Sequence, residues 1–327
     1  MKWAGLVSLL VLVMGLSLTV GVRDLTLADY VTAITAFDPY DPAHVTLMSI
    51  RLPRLLAALI AGGALGMAGS MMQALTRNPL ADPGLLGVNA GAAFALILGT
   101  TLLGRADQST IAMLAFPGAA AASAAVFALG GGLRGDAGPV RLTLAGAALN
   151  ALLLSLVTAV ALIRQDSLDI LRFWVAGSLS QAAARPLFEM AIAAAIGGGM
   201  AWALALRLEA LSLGSALARG LGTRPGLVQA ATLVAVTLTT GAAVAVAGPI
   251  AFLGLMVPPV ARRVAGHSLR AELLASAILG GGLLLLADTL GRLILAPAEV
   301  RAGIMVALLG APVFIWIARS LRPGATT

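Results

Sequence analysis

Cysteine is absent from this 327-residue chain, which excludes disulfides, thiolate metal sites, iron-sulfur clusters and thiol nucleophiles. Histidine occurs only at His44 and His267, too few for a histidine-built metal centre. Lys2 is the sole lysine and stands at the start of the chain, so no P-loop here can hold a nucleotide phosphate. If ATP drives this protein, another chain must hydrolyse it. Charge is scarce as well: 11% of residues are charged against 60% hydrophobic, with a mean hydropathy of +1.00, which excludes an ordinary soluble protein. The net charge of +7 comes from arginines scattered singly in short connections, without the basic run or aromatic interleaving that would track a phosphate backbone.

What is present is a succession of apolar blocks. About 20 apolar residues cross the roughly 30 Å hydrocarbon core of a bilayer, so the chain has room for about eight to eleven crossings and no sizeable extramembrane domain. The blocks run Trp3–Val22, Leu55–Leu75, Gly87–Leu103, Ile111–Leu133, Leu142–Ile163, Pro186–Leu206, Leu227–Ala247, Ile250–Ala265, Leu273–Leu290 and Gly303–Ala318. They predict an all-α polytopic membrane protein of about ten transmembrane helices, forming a single domain over residues 1–327 with both termini on one side. The first block is long for a signal-peptide core and lacks a small-x-small cleavage site, so it reads as a retained helix. Residues 23–49 hold four aspartates, a Pro-Tyr-Asp-Pro turn and a short amphipathic helix around Leu27–Ala36. With a cytoplasmic N-terminus, twelve of the 21 cations fall inside and nine outside, a mild bias for that orientation. It leaves Arg51 with Arg54 and Arg292 with Arg301 on the outer face, where snorkelling to lipid headgroups is their plainest role.

Ala58, Gly62, Gly66 and Ser70 recur at intervals of four and predict a smooth helix face for close packing; Gly87 with Gly91 is a shorter candidate. Asp288 with Arg292 at i+4 predicts a local ion pair near a helix end. Asn78, Pro79, Pro83 and Gly84 break the helix into a rigid turn, with Asn78 bonding freed backbone groups and direct substrate contact as the alternative. Gln73, just before it, either lines a pathway or bonds a neighbouring helix. Between Arg207 and Arg224, Leu211, Leu213, Leu217 and Leu221 predict a short amphipathic helix that rests on lipid or fills a partner's groove.

The stretch RLPRLLAALIAGGALGMAGSMMQALTRNPLADPGLLGVNAGA, from Arg51 to Ala92, resembles the FecCD-type permeases, the membrane subunits of ABC importers for iron chelates, haem and cobalamin. LSLGSALARGLG at Leu211–Gly222, GPIAFLGLMVPPVARRVAG at Gly248–Gly266, LADTLGR at Leu286–Arg292 and GAPVFIWIA at Gly310–Ala318 are similar to further family segments. The resemblance implies a dimeric helical bundle in the inner (cytoplasmic) membrane of the cell: a homodimer of permease subunits, two cytoplasmic ATPases and an extracytoplasmic binding protein. It implies a transport subunit and not an enzyme, with no cofactor of its own, since ATP and Mg bind the partner ATPase. Arg51, Arg54 and Arg292 would dock the binding protein, with Arg301 as a further member of that rim. A segment at about 207–226, with Leu211, Gly214, Leu217, Arg219 and Gly222, would couple to the ATPase. The path would lie at the dimer axis along the fifth and tenth crossings, with a gate near Gly138, Pro139 and Arg141. Asn150 and Ser155 are its polar candidates, with ordinary interhelical hydrogen bonds as the alternative.

Two departures from the family pattern bear on the cargo: Pro259 stands where a histidine is common, and Arg301 where proline is common. The implied function is import of a ferric siderophore or another iron chelate. A cobalamin or haem permease of the same architecture is the alternative, followed by an ion-coupled secondary transporter, for which Asp288 would be the intramembrane coupling group. An intramembrane enzyme finds no Ser-His, paired-Asp or HExxH constellation.

Overall fold

The computed structural model describes residues 2–21, 23–104, 107–132, 138–266 and 268–320. The described residues are all helical, without strands: α1 (Lys2–Thr19), α2 (Leu27–Thr35), α3 (Pro42–Val45), α4 (Leu52–Thr76), α5 (Val88–Leu103), α6 (Gln108–Leu129), α7 (Pro139–Ile163), α8 (Gln165–Val175), α9 (Leu187–Ser212), α10 (Ser215–Gly220), α11 (Pro225–Ala247), α12 (Leu253–Ala265), α13 (Leu269–Ile294) and α14 (Ala302–Ser320). Each of the ten apolar blocks falls on a helix, and seven of the helices among the described residues are long and apolar enough to cross a bilayer. The three blocks that fall short of that length are α5, α12 and the apolar part of α14.

Local chemistry sets the boundaries. Thr26 and Asp29 form a reciprocal capping box at α2, and Asp41 caps α3 ahead of Pro42. A wide helical turn over Thr46–Arg51 joins α3 to α4, so Pro42–Thr76 is one continuous 35-residue rod. Arg77, with φ of 53°, ends it in the left-handed conformation. Gly87 and Gly104, both at positive φ, bracket α5, and Asp107 caps α6 through Thr110.

The rod α4 occupies the centre, packed on α13, α11, α12 and α9, while α1 lies against α13. A second group, α5, α6 and α7, joins the first through α11 and the 78–87 turn. Backbone approach is very close where small residues meet. A Cβ on Gly62 would collide with the Gly280 carbonyl, one on Gly66 with that of Ser276, and one on Gly69 with that of Gly254. Ser70 and Ser276 share a buried hydrogen bond of 2.8 Å across the same seam. The predicted four-residue stripe is therefore the α4–α13 interface. Gly91 likewise meets Gly118 between α5 and α6. Dispersion between close-packed backbones holds such helices together where lipid removes the hydrophobic drive.

Candidate functional site

The connections between helices collect at two ends. One end gathers residues 20–51, 164–186 and 295–301; the other holds the 78–87 turn and the α9–α11 connection.

At the first end Arg51, Arg54 and Arg292 come together, at 3%, 5% and 5% exposure, each turned into the protein. Arg54 donates to both oxygens of Asp288, at 3.2 and 2.8 Å, and to Glu299 at 2.9 Å. Arg292 lies 3.3 Å from the same Asp288, which is the predicted i+4 pair, so one carboxylate serves two guanidiniums. The remaining donors of Arg292 reach the Ser17 and Val20 carbonyls at the end of α1. Arg51 donates to the carbonyls of Leu18, Thr19 and Arg23. A helix leaves its last four carbonyls unpaired and carries about half a negative charge there. Two arginines from distant sequence therefore cap α1. Lipid headgroups are not their partners in the folded chain, because 3 to 5% exposure leaves no guanidinium at the surface.

At the opposite end Arg262 donates to Gln73 at 2.8 Å and to Glu272 at 2.9 Å, and Gln73 donates to the Leu255 carbonyl at 3.2 Å. Gln73 thus bonds a neighbouring helix, α12. Asn78 accepts from Leu80 N at 2.9 Å, Pro79 is half-buried and Pro83 is buried, a rigid turn as the sequence suggests. Asp82 caps that turn by accepting from Gly84 N at 2.7 Å, and burial pushes its carboxyl up from the ordinary range. Arg77 reaches across to the Leu211 carbonyl at 2.7 Å and ties the turn to the end of α9.

The coupling candidates divide. Leu211 is buried at the end of α9, whereas Gly214 stands at φ of 120°, a conformation that suits glycine, and starts α10. Ala218 faces inward, and Leu213, Leu217 and Leu221 are 65%, 53% and 61% exposed in a stripe four residues apart. Arg219 and Gly222 are exposed beside it. Leu211 anchors this knob and does not belong to its exposed side.

Along α7, Gly138 precedes Pro139 at the first helical position, whose side chain lies outside the described residues. Asn150 points toward the 78–87 turn and donates to the Gly84 carbonyl at 3.4 Å, while Ser155 bonds the Ala151 carbonyl of its own helix and is exposed. A broad apolar face that includes Val140, Leu144, Leu152 and Leu154 is left uncovered.

The family model of the FecCD transport family matches residues 9–320. The chain belongs to that family. This permease is 45% identical over 320 residues, 98% of its own length and 95% of the other's, to the ferric enterobactin transport system permease protein FepD of Escherichia coli strain K12. It is 37% identical over 309 residues, 94% of its length and 80% of the other's, to the iron(3+)-hydroxamate import system permease protein FhuB of Bacillus subtilis strain 168. It also superposes with a TM-score of 0.82 and 27% identity on a solved structure described as an inward-facing conformation of a metal-chelate type ABC transporter, covering 98% of this chain and 99% of that one.

The sequence reading did not single out Glu272 and Arg262 as a pair, or Glu299 and Arg185 as polar centres of the permease. No local spacing could have found the first three, since their partners lie on other helices; Arg185, just before Pro186 at the head of α9, was the nearest thing to a signal.

Proposed function

We propose that the chain is the membrane permease of an ATP-driven importer for an iron chelate, with ten crossings formed by the seven long helices and α5, α12 and α14. The chain-long likeness to permeases of ferric enterobactin and iron-hydroxamate systems carries this reading, together with the fold of a metal-chelate ABC transporter. The protein sits in the cytoplasmic membrane, pairs with a second copy and has its termini and α10 inside. It supplies a path and two docking faces, while a separate ATPase hydrolyses ATP, because the only lysine is Lys2.

The exposed Leu213, Leu217 and Leu221 stripe is the coupling face: three leucines held outward on and beside the six-residue helix α10 fit a partner's groove. Movement of the ATPase pair would shift this knob, and through Arg77 and the 78–87 turn shift α7. The exposed face of α7, with α14, would line the path between two copies, with Gly138 and Pro139 at its inner end.

Docking of a binding protein at the outer end involves Arg51, Arg54 and Arg292. Because these are already occupied, a partner's carboxylate reaches Arg54 only by displacing Glu299, whose side chain is 35% exposed. Glu299→Gln should therefore strengthen docking, read as binding-protein affinity in nanodiscs. An unchanged affinity would place docking elsewhere on the outer face.

The deciding experiment is uptake of radiolabelled ferric chelate by proteoliposomes. Uptake should appear only with the ATPase, the binding protein and ATP present. Uptake by this chain alone under an ion gradient would favour a secondary transporter.

A further inference from the structure

Arg185 differs from the other inward-turned arginines. Arg54, Arg262 and Arg292 each face a carboxylate, and Arg51 spends its donors on the open end of α1. The guanidinium of Arg185, in the connection from α8 to α9, donates to the Val246 carbonyl at the end of α11 and to Gln108 Oε1 at 3.2 Å. Both acceptors are neutral, and no ion pair to it is present among the described residues. A guanidinium has five N–H donors. Two are used, and Nε is buried with no partner at all. Burial lowers its pKa to about 10, which still leaves it cationic at neutral pH.

This cation lines a cavity of about 300 Å³ at the outer end. Trp174, 6% exposed, and Phe173 from α8 form its aromatic wall, with Ser180 on another side. Arg301 closes the rim, stacked 4.6 Å above the Phe173 ring and donating to the Phe173 carbonyl at 3.0 Å. Among the described residues, the one acidic residue on the lining is Asp169, which is 66% exposed and sits 3.7 Å from Arg172. The half charge at the end of α11 offsets part of the Arg185 charge but leaves its other donors without acceptors.

Two cations, an aromatic wall and spare donors in a concave site make the signature of a planar anion. We propose that this cavity is an entry subsite for one arm of an anionic, ring-bearing iron chelate of the ferric catecholate class, with Arg185 and Arg301 on its oxygens and its ring against Phe173 and Trp174. A cavity of this volume takes one arm and not a whole chelate, so the remainder stays in the mouth between the two copies. This assignment rests on the importer reading for its cargo. A neutral ferric trihydroxamate would gain nothing from the two arginines, so the subsite selects by charge.

The test is direct binding to the isolated permease in neutral-lipid nanodiscs, which needs neither ATPase nor binding protein. A variant with Trp3, Trp202 and Trp316 changed to Phe retains Trp174 as its only tryptophan, and a coloured ferric tris-catecholate is the quencher. Quenching should saturate, weaken with salt and be absent with a neutral ferric trihydroxamate. Charged hydrogen bonds of this kind correspond to about tenfold or more in affinity, so Arg185→Gln should lose at least that factor and Arg185→Lys less. Arg301→Gln, at the rim, should weaken binding several-fold and keeps the test decisive if Arg185→Gln does not fold. Equal affinity in the arginine variants, or equal quenching by the neutral chelate, overturns the subsite. Failure of ATP-driven uptake in proteoliposomes would sink the importer reading by a separate measurement.

Discussion

Asp288 holds two cations at once, and the consequences can be separated by substitution. A buried pair broken by removing one partner costs about 3 to 5 kcal/mol, because the remaining charge is left without compensation. Asp288→Asn strands Arg292, whose other acceptors are neutral, while Arg54 keeps Glu299. Thermal unfolding in detergent should show a loss in that range, whereas Glu299→Gln, at the rim, should cost under about 1 kcal/mol. Equal losses would mean that the charge cluster is shared evenly. Reversal of Arg54 to Glu would set a third carboxylate beside Asp288 and Glu299, so misfolding is expected there in addition to any loss of docking. Asp82 makes a case of opposite sign. Its folded pKa is raised, so its contribution to stability falls as pH rises from the ordinary carboxylate range through the raised value and is flat above it. Asp82→Asn keeps the cap acceptor for Gly84 N and should be at least as stable at neutral pH, with a flatter pH profile between those limits. A marked destabilisation at neutral pH would show that the charge itself is needed.

Among the elements, α4 shows how a helix with one face of small residues can be central. Gly62, Gly66 and Gly69 present backbone to α13 and α12, and overpacking costs typically about 1 to 3 kcal/mol. Gly69→Ala drives a methyl into the Gly254 carbonyl and should lower the unfolding midpoint, while Gly5→Ala, with open space around it, should leave it unchanged. Similar midpoints for the two would mean that α4 and α12 separate freely. The knob at α10 behaves differently because its leucines are exposed. Leu213→Ser with Leu217→Ser should leave the permease fold intact and uncouple ATP hydrolysis from uptake. Retained coupling would return the stripe to a lipid-resting helix. The period of four made both features legible in the sequence, since each is a short local pattern, although the leucine stripe crosses the break at Gly214 between α9 and α10. The same reasoning missed α8, whose residues from Arg164 to Arg172 are polar enough to resemble a connection; Ile170, Phe173 and Trp174 at i, i+3 and i+4 were its signal.

At the level of the whole molecule, α7 and α14 carry long exposed apolar faces that a single copy does not cover. The absence of cysteine makes their partner easy to identify. Ser155→Cys should cross-link to the same position of a second copy in the membrane if α7 lines a path at the dimer axis. Labelling by lipid-soluble probes with no cross-link would assign that face to the bilayer.

Composition and local pattern by themselves determined the membrane class, the positions of the ten apolar helices, the small-residue seam, the Asn78 turn, the Asp288 to Arg292 pair and the family, because each is written within a few consecutive turns or in the order of motifs. Only the tertiary structure decided what the arginines do. Arg54 finds Asp288 and Glu299 more than 230 residues away, Arg262 finds Gln73 across 189, and Arg292 and Arg51 close the end of α1. A charge in the sequence indicates a water-facing end by default. In a bundle it goes wherever an unpaired carbonyl or carboxylate would otherwise be stranded, and that place exists only once the helices have packed.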